Sequence, residues 1–166
     1  MAHHKPPFTL PTAYEKVKAA QALWNTRDAA KVALAYTPNS IWRNRDTFLC
    51  GHDEIKLFLT KKWEREQSYR LRKELFAVDT SSISSNRIAV EFWYEYRDAT
   101  DKMKWKRCYG IEHWTYAQDG KMEKRMMSGN DVLLGKNGDG EGEGGRWFKD
   151  GEDVDSAVLG ESDWHA

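Results

Sequence analysis

Cysteine is scarce in this chain: Cys50 and Cys108 are the two in 166 residues. They lie far apart and in no metal-ligand or redox spacing. That argues against a disulfide scaffold and points to reduced thiols in a cytoplasmic protein. No apolar run is long enough for a signal peptide or a membrane span, so no membrane partner is expected. Net charge is absent too, at zero overall, which speaks against electrostatic capture of nucleic acid. A nucleic-acid role resting on Lys104, Lys106 and Lys124 is a distant third reading. No metal-ligand spacing and no Ser/His/Asp signature appears. The glycine-rich run 138–145 lacks the preceding strand and following helix that phosphate binding needs. Neither metal nor cofactor is expected.

What the chain does have is rings. Eight Trp, seven Tyr and six Phe make up 13% of it, more than a core of this size needs, so some should line a cavity or an interface. The zero net charge also hides an asymmetry. Residues 135–166 hold nine acidic and three basic residues and eight of the twelve glycines, leaving 23 basic and 17 acidic residues in 1–134. A body of +6 and a tail of −6 follow, with 1–134 as the folded domain and 135–166 as a glycine-rich acidic extension. The expectation for 138–145 is a flexible, solvated linker. Partly exposed rings are the alternative for Trp147 and Trp164, and whether Arg146-Trp-Phe148 docks on the body is left open.

The chain is organised around residues 87–131. Ile88, Val90, Phe92, Tyr94 and Tyr96 alternate with Arg87, Glu91, Glu95 and Arg97, the period of a strand buried on one face. Two further strand-like runs follow, and Asp119-Gly120 between them is a strong hairpin signal. Upstream, Thr12-x-x-Glu15 reads as a capping box opening a helix to Asn25. Asp28 caps a short second helix, Thr37-Pro38 breaks it, and Ser40–Asn44 forms a short strand. A third helix starts at Asp53, and Tyr69–Asp79 is the next strand. His3 and His4 are expected to be disordered. Three helices leading into long antiparallel strands give an α+β fold, a cone of helices on a strongly curved, mostly antiparallel sheet.

Several motifs carry a resemblance: Ser40-x-Trp-Arg-Asn-Arg45, Phe58-Leu-Thr-x-Lys-Trp63, Tyr69-Arg-Leu-x-Lys-Glu-Leu75, Asn86-Arg-Ile-Ala-Val90, Arg107-x-Tyr-Gly110, Glu112-x-Trp114 and Ser128-x-Asn-Asp131. From about Phe8 to Val132 the chain resembles an uncharacterised branch of the SnoaL-like, nuclear-transport-factor-2-like superfamily. It departs from that pattern at Ile111 and His113. The resemblance implies a conical α+β barrel, usually dimeric through the outer sheet face, with a pocket between helices and sheet. The superfamily spans isomerases, dehydratases, cyclases, epoxide hydrolases and non-catalytic modules, so the fold does not select a chemistry. In ketosteroid-isomerase-like members the strand after helix two carries an aspartate base. Asn44 occupies that position here, and an amide cannot serve as a base at neutral pH.

Two carboxylates are then the catalytic candidates. Glu112 shares a strand face with Cys108, Gly110 and Trp114, where desolvation among rings would raise its pKa toward general acid or base work. The alternative for Glu112 is a buried pair with an arginine. Asp131 sits at the end of the last strand. Trp42, Asn44, Trp63, Tyr94, Tyr109 and Trp114 are the expected ligand contacts. One of Arg43 and Arg45 is expected to pair with Glu91 or Glu95. The leading expectation is a homodimeric small-molecule-pocket protein for a hydrophobic ligand with a few polar groups; if it is an enzyme, a cofactor-free lyase, isomerase or cyclase is expected. The rival is a non-catalytic module using the outer sheet face.

Overall fold

The computed structural model describes residues 3–160. Trp164, with the rest of 161–166, lies outside the described residues, as do Met1 and Ala2. The elements are α1 (Leu10–Asn25), α2 (Ala29–Ala33), β1 (Tyr36–Asn44), β2 (Thr47–Cys50), α3 (Gly51–Arg65), β3 (Glu66–Val78), β4 (Arg87–Asp98), β5 (Lys104–Tyr116) and β6 (Met122–Leu133). The six strands form one sheet in the order β2-β1-β6-β5-β4-β3. Its pairs are antiparallel except β1 with β6, which run parallel. Three helices on a curved sheet are the cone that the sequence predicted.

Local chemistry explains where the element boundaries differ from expectation. Helix α1 starts earlier because Thr9 is the N-cap and exchanges bonds with Thr12, while Pro11 sits in the first turn, where a missing N–H costs nothing. Glu15 is left to contact His4, and His3 bonds the Asp119 carbonyl at 2.9 Å, so both histidines are placed. Asp28 caps α2 through the Lys31 N–H, as expected. Strand β1 runs through Pro38 because its register with β6 shifts between Tyr36 and Ile41, so no ladder bond is asked of the proline. A short β2 replaces the expected loop.

The alternation in β4 holds throughout. Ile88, Val90, Phe92, Tyr94 and Tyr96 join the main core with Trp24, Trp42, Ile55, Leu59, Leu71 and Trp114. Strand β3 is a sheet edge, and α1 rather than another strand satisfies it. Asn25 accepts from the Leu71 N–H and donates to its carbonyl, both at 2.8 Å, while Gln21 accepts from the Lys73 N–H at 2.8 Å. Side-chain amides spaced one helical turn apart thus close an edge that would otherwise invite another strand.

The tail corrects the sequence reading most. The run 138–145 is not a free linker. Gly140 accepts from the Trp105 N–H at 2.9 Å, and Gly135 donates to Gly144 at 2.9 Å. Gly135 has φ +97°, and a Cβ there would lie 2.6 Å from the Glu141 carbonyl, so this glycine makes a turn rather than slack. The tail then crosses the outer face of the sheet. The Arg146 guanidinium lies 3.8 Å over Trp105, and Arg107 lies 3.4 Å over Trp147. Trp147, Phe148 and Val154 bury against Trp93 in a second core. Asp155 ends the crossing on α1, 2.8 Å from Lys18 and 3.1 Å from Gln21. Trp147 is therefore buried, and Asp155 of the tail pairs with Lys18 of the body.

Candidate functional site

The inner face of the sheet carries two polar clusters at different depths. In β5, β6 and β1 the positions sharing this face are Trp114, Glu112, Gly110 and Cys108; Arg125, Met127, Gly129 and Asp131; and Trp42 with Asn44. Register brings Glu112 beside Met127, Trp114 beside Arg125 and Cys108 beside Asp131.

The deep cluster centres on Glu112. Its carboxylate accepts from Lys73 Nζ at 2.6 Å, from Arg125 Nε at 3.2 Å and from the Trp114 indole, and Arg125 also donates to Asn44 at 3.0 Å. Rings roof these charges. Arg125 lies 4.8 Å from the Trp24 ring and 4.5 Å from Trp42, and Lys73 lies 4.8 Å from Phe92. Glu112, Lys73, Arg125, Trp42 and Trp114 are each 2% exposed or less, so the charged groups of this cluster are sealed from solvent. The sequence expected burial to raise the Glu112 pKa. Burial does act that way, but Arg125 and Lys73 more than offset it and hold the carboxyl well below its usual range. Glu112 is thus an ionised member of a closed network. Trp42, Asn44 and Trp114 belong to the same packed layer, with Trp63 edge-on to Trp24 and Tyr69.

The shallow cluster lies toward the end of β6, at a solvent-open rim of the sheet, the mouth. Strict alternation would aim Arg45 away from Asn44's side. Instead Arg45 adopts φ 59° at the β1–β2 turn, which returns its side chain to the inner face. Its guanidinium pairs with Asp131 at 2.7 Å and donates to the Gly129 carbonyl at 2.6 Å, Cys108 Sγ at 3.2 Å and the Tyr94 hydroxyl at 3.5 Å. Tyr96 donates to the other Asp131 oxygen at 3.0 Å. Tyr94 donates to Glu66 at 3.4 Å, and Glu66 is held by Lys62. The Arg45 and Asp131 side chains keep 32% and 28% of their surface in solvent. Burial pushes the Cys108 thiol up to about 11 and the Tyr94 phenol well above its usual value, so both are neutral near pH 7. Gly129 lets this layer pack closely, since a Cβ there would lie 2.8 Å from Cys108 Sγ and 3.0 Å from Met127 Cε.

The arginine that pairs with Glu95 is not one of the two in the Trp42–Arg45 motif. Arg43 donates to the Met127 carbonyl at 2.9 Å and to Ser128 at 3.1 Å, and the partner of Glu95 is Arg107 at 2.6 Å. Tyr109, expected among the ligand contacts, stands on the outer face, accepting from Arg107 and touching Trp147. Sequence reasoning missed Lys73, Arg125 and Arg45. Lys73 was legible, because it alternates with Tyr69, Leu71 and Leu75 on the apolar face of β3. Arg45 was not, because a positive φ at a non-glycine residue leaves little mark in sequence. Among the described residues no group of three or more His, Cys, Asp or Glu could hold a metal ion, and no helix is long and apolar enough to cross a membrane.

Similar solved structures share the fold. The epoxide hydrolase/cyclase-like enzyme SalBIII of pyran ring formation in salinomycin matches with TM-score 0.60 and 12% identity, over 72% of this chain and 92% of that one. A type 2 hexachlorocyclohexane dehydrochlorinase (LinA) matches with TM-score 0.62 and 9% identity, over 76% and 90%. An NTF2-like protein of unknown function from Burkholderia pseudomallei gives 0.59 and 17%, over 71% and 90%. At these identities the likeness is one of fold, the SnoaL-like, NTF2-like cone. No curated protein matches by sequence. A family model described as protein of unknown function (DUF1348) matches residues 6–139.

Proposed function

The chain belongs to this DUF1348 family, and we propose that it binds a small, partly apolar molecule at the mouth of the cone and carries out a cofactor-free acid–base step there. The observation that carries this reading is Asp131. It is a carboxylate fixed by Arg45 at 2.7 Å and Tyr96 at 3.0 Å, yet still open to solvent, whereas Glu112 is sealed. In this reading Asp131 takes a proton from carbon and Arg45 stabilises the negative charge that develops. Glu112 is given a structural role. An elimination fits a single base beside a fixed cation: the proton goes to Asp131, the C–H electrons form the double bond, and the leaving group departs from the neighbouring carbon as an anion beside Arg45. The name dehydrochlorinase, borne by one similar fold, is that of an elimination.

The test is proton exchange. Wild-type protein in D2O is incubated with small β-hydroxy and enolisable carbonyl compounds and followed by 1H NMR. Exchange or elimination of at least one compound is expected, with a loss of roughly 10²–10⁴-fold in Asp131→Asn. A panel left untouched by the wild type, or a variant as active as the wild type, overturns the reading.

A second reading concerns the outer face, where Ile41, Phe48, Ile111 and Val132 of β1, β2, β5 and β6 are 51%, 74%, 56% and 45% exposed. Among the described residues the tail covers the β3–β5 side and not this one. We propose that a second copy covers it as a homodimer. A sedimentation experiment in which the wild type is a monomer at micromolar concentration would sink that reading.

A further inference from the structure

At the end of the molecule away from the mouth, α1, the α2–β1 turn and the β5–β6 hairpin enclose a groove of about 540 Å³. Its volume falls in the range of small-molecule sites. The walls are Ala20, Leu23, Leu34 and Met122, with Tyr116 at one end. Leu34, one of these walls, is a large apolar side chain left 64% exposed. Three lysines, Lys16, Lys31 and Lys121, stand along the groove. Against them is one lining carboxylate, Glu15, which His4 already engages. The Lys16 ammonium donates to the Gly120 carbonyl at 2.7 Å and lies 4.9 Å from the Tyr116 ring centre. An ammonium has three donors, so an incoming acceptor finds some unspent. Asp119 acts on Lys16 from the hairpin, and Asp28 faces Lys31 at 3.7 Å. Neither lines the groove.

An apolar trough with cations along its edge fits a molecule with an alkyl chain and one negative end. We propose that this groove binds a medium-chain carboxylate, with its chain along Leu23, Leu34 and Met122 and its carboxylate on Lys16 and Lys121. Burial draws the Lys16 pKa down, and a bound carboxylate would restore what desolvation removes. The site is separate from the mouth and stands or falls independently of the reaction proposed there.

The probe is decanoate, titrated calorimetrically into full-length protein labelled with [methyl-13C]Met. Decan-1-ol and decyltrimethylammonium serve as neutral and cationic controls. Decanoate should bind at least about tenfold more tightly than either control, and Leu34→Glu should weaken it by about tenfold or more. The Met122 methyl resonance should move on binding, while Asp131→Asn leaves the affinity unchanged. Leu34 is exposed, so its substitution should leave the fold intact, which the spectrum of the free protein checks. Equal binding of all three probes, an unmoved Met122 methyl, or a loss seen in Asp131→Asn and not in Leu34→Glu would each overturn the assignment.

Discussion

Glu112 and Glu95 stand on neighbouring strands and opposite faces of one sheet, and both are sealed from solvent. Their partners differ in kind. Glu112 is neutralised by side chains of the body, Lys73 and Arg125. Glu95 is held by Arg107 and by the backbone N–H groups of Trp147 and Phe148, at 2.9 and 2.8 Å. The first carboxylate is buried by the fold itself and the second by a strap laid over it. A charge buried by the body cannot regain water without unfolding. One buried by a strap regains it when the strap lifts. Equal burial therefore predicts unequal consequences, and substitution can break the comparison or sharpen it.

The largest effect is expected at Glu112. Glu112→Gln leaves Lys73 and Arg125 without a countercharge in a layer of tryptophans, and loss of one partner of a buried pair costs about 3–5 kcal/mol. Urea unfolding should show that loss, with the strap still protected from hydrogen exchange. A change under 1 kcal/mol would mean that water reaches the cluster, and the packed interior would have to be abandoned.

Glu95→Gln should cost less, about 1–3 kcal/mol, because the amide keeps one acceptor and the strap can lift. Its signature is local. Amide exchange at Trp147 and Phe148, and tryptic cleavage after Arg146 and Lys149, should rise before the sheet opens. If exchange rises equally across β4 and β5, the strap is not a separate unit and the contrast with Glu112 disappears.

Sheet architecture was readable from sequence because alternation in β4 is strict and a buried face leaves a period of two. The ion pairing of Glu112 was readable as an alternative, since a carboxylate among rings must find a cation or lose its charge. What escaped was set by single torsions and by tertiary contacts. Arg45 reaches Asp131 through one left-handed residue. The tail looked structureless because its composition is glycine and acid. Yet Gly135 serves a turn, and Arg146, Trp147 and Phe148 find partners on β4 and β5 that no local pattern announces. The mouth cluster was half legible: Asp131 and Tyr94 stood among the candidates, while the arginine that orients the carboxylate did not.

The smallest effect is a pH dependence, and it tests whether the deep cluster carries one cation too many. Two cations share Glu112, and Arg125 cannot give up its proton. Burial, with the Arg125 charge adding to it and Glu112 opposing, draws Lys73 down to about 8 from an ordinary 10.5. Between those values the unfolded chain holds a proton that the folded chain does not, so stability should rise with pH from about 8. Above about pH 9 the buried Cys108, pushed up to about 11, works the other way, because the unfolded thiol ionises first. The readable window is therefore pH 8 to 9, and the rise should be about 1 kcal/mol. Lys16, drawn down by burial as well, adds to the slope with the same sign. Urea midpoints at pH 7, 8 and 9 measure it. Lys73→Met should flatten most of the rise while sparing the Glu112–Arg125 pair. If the slope survives that substitution, Lys73 stays charged throughout, and Glu112 balances both cations as fully as Arg107 and the strap balance Glu95.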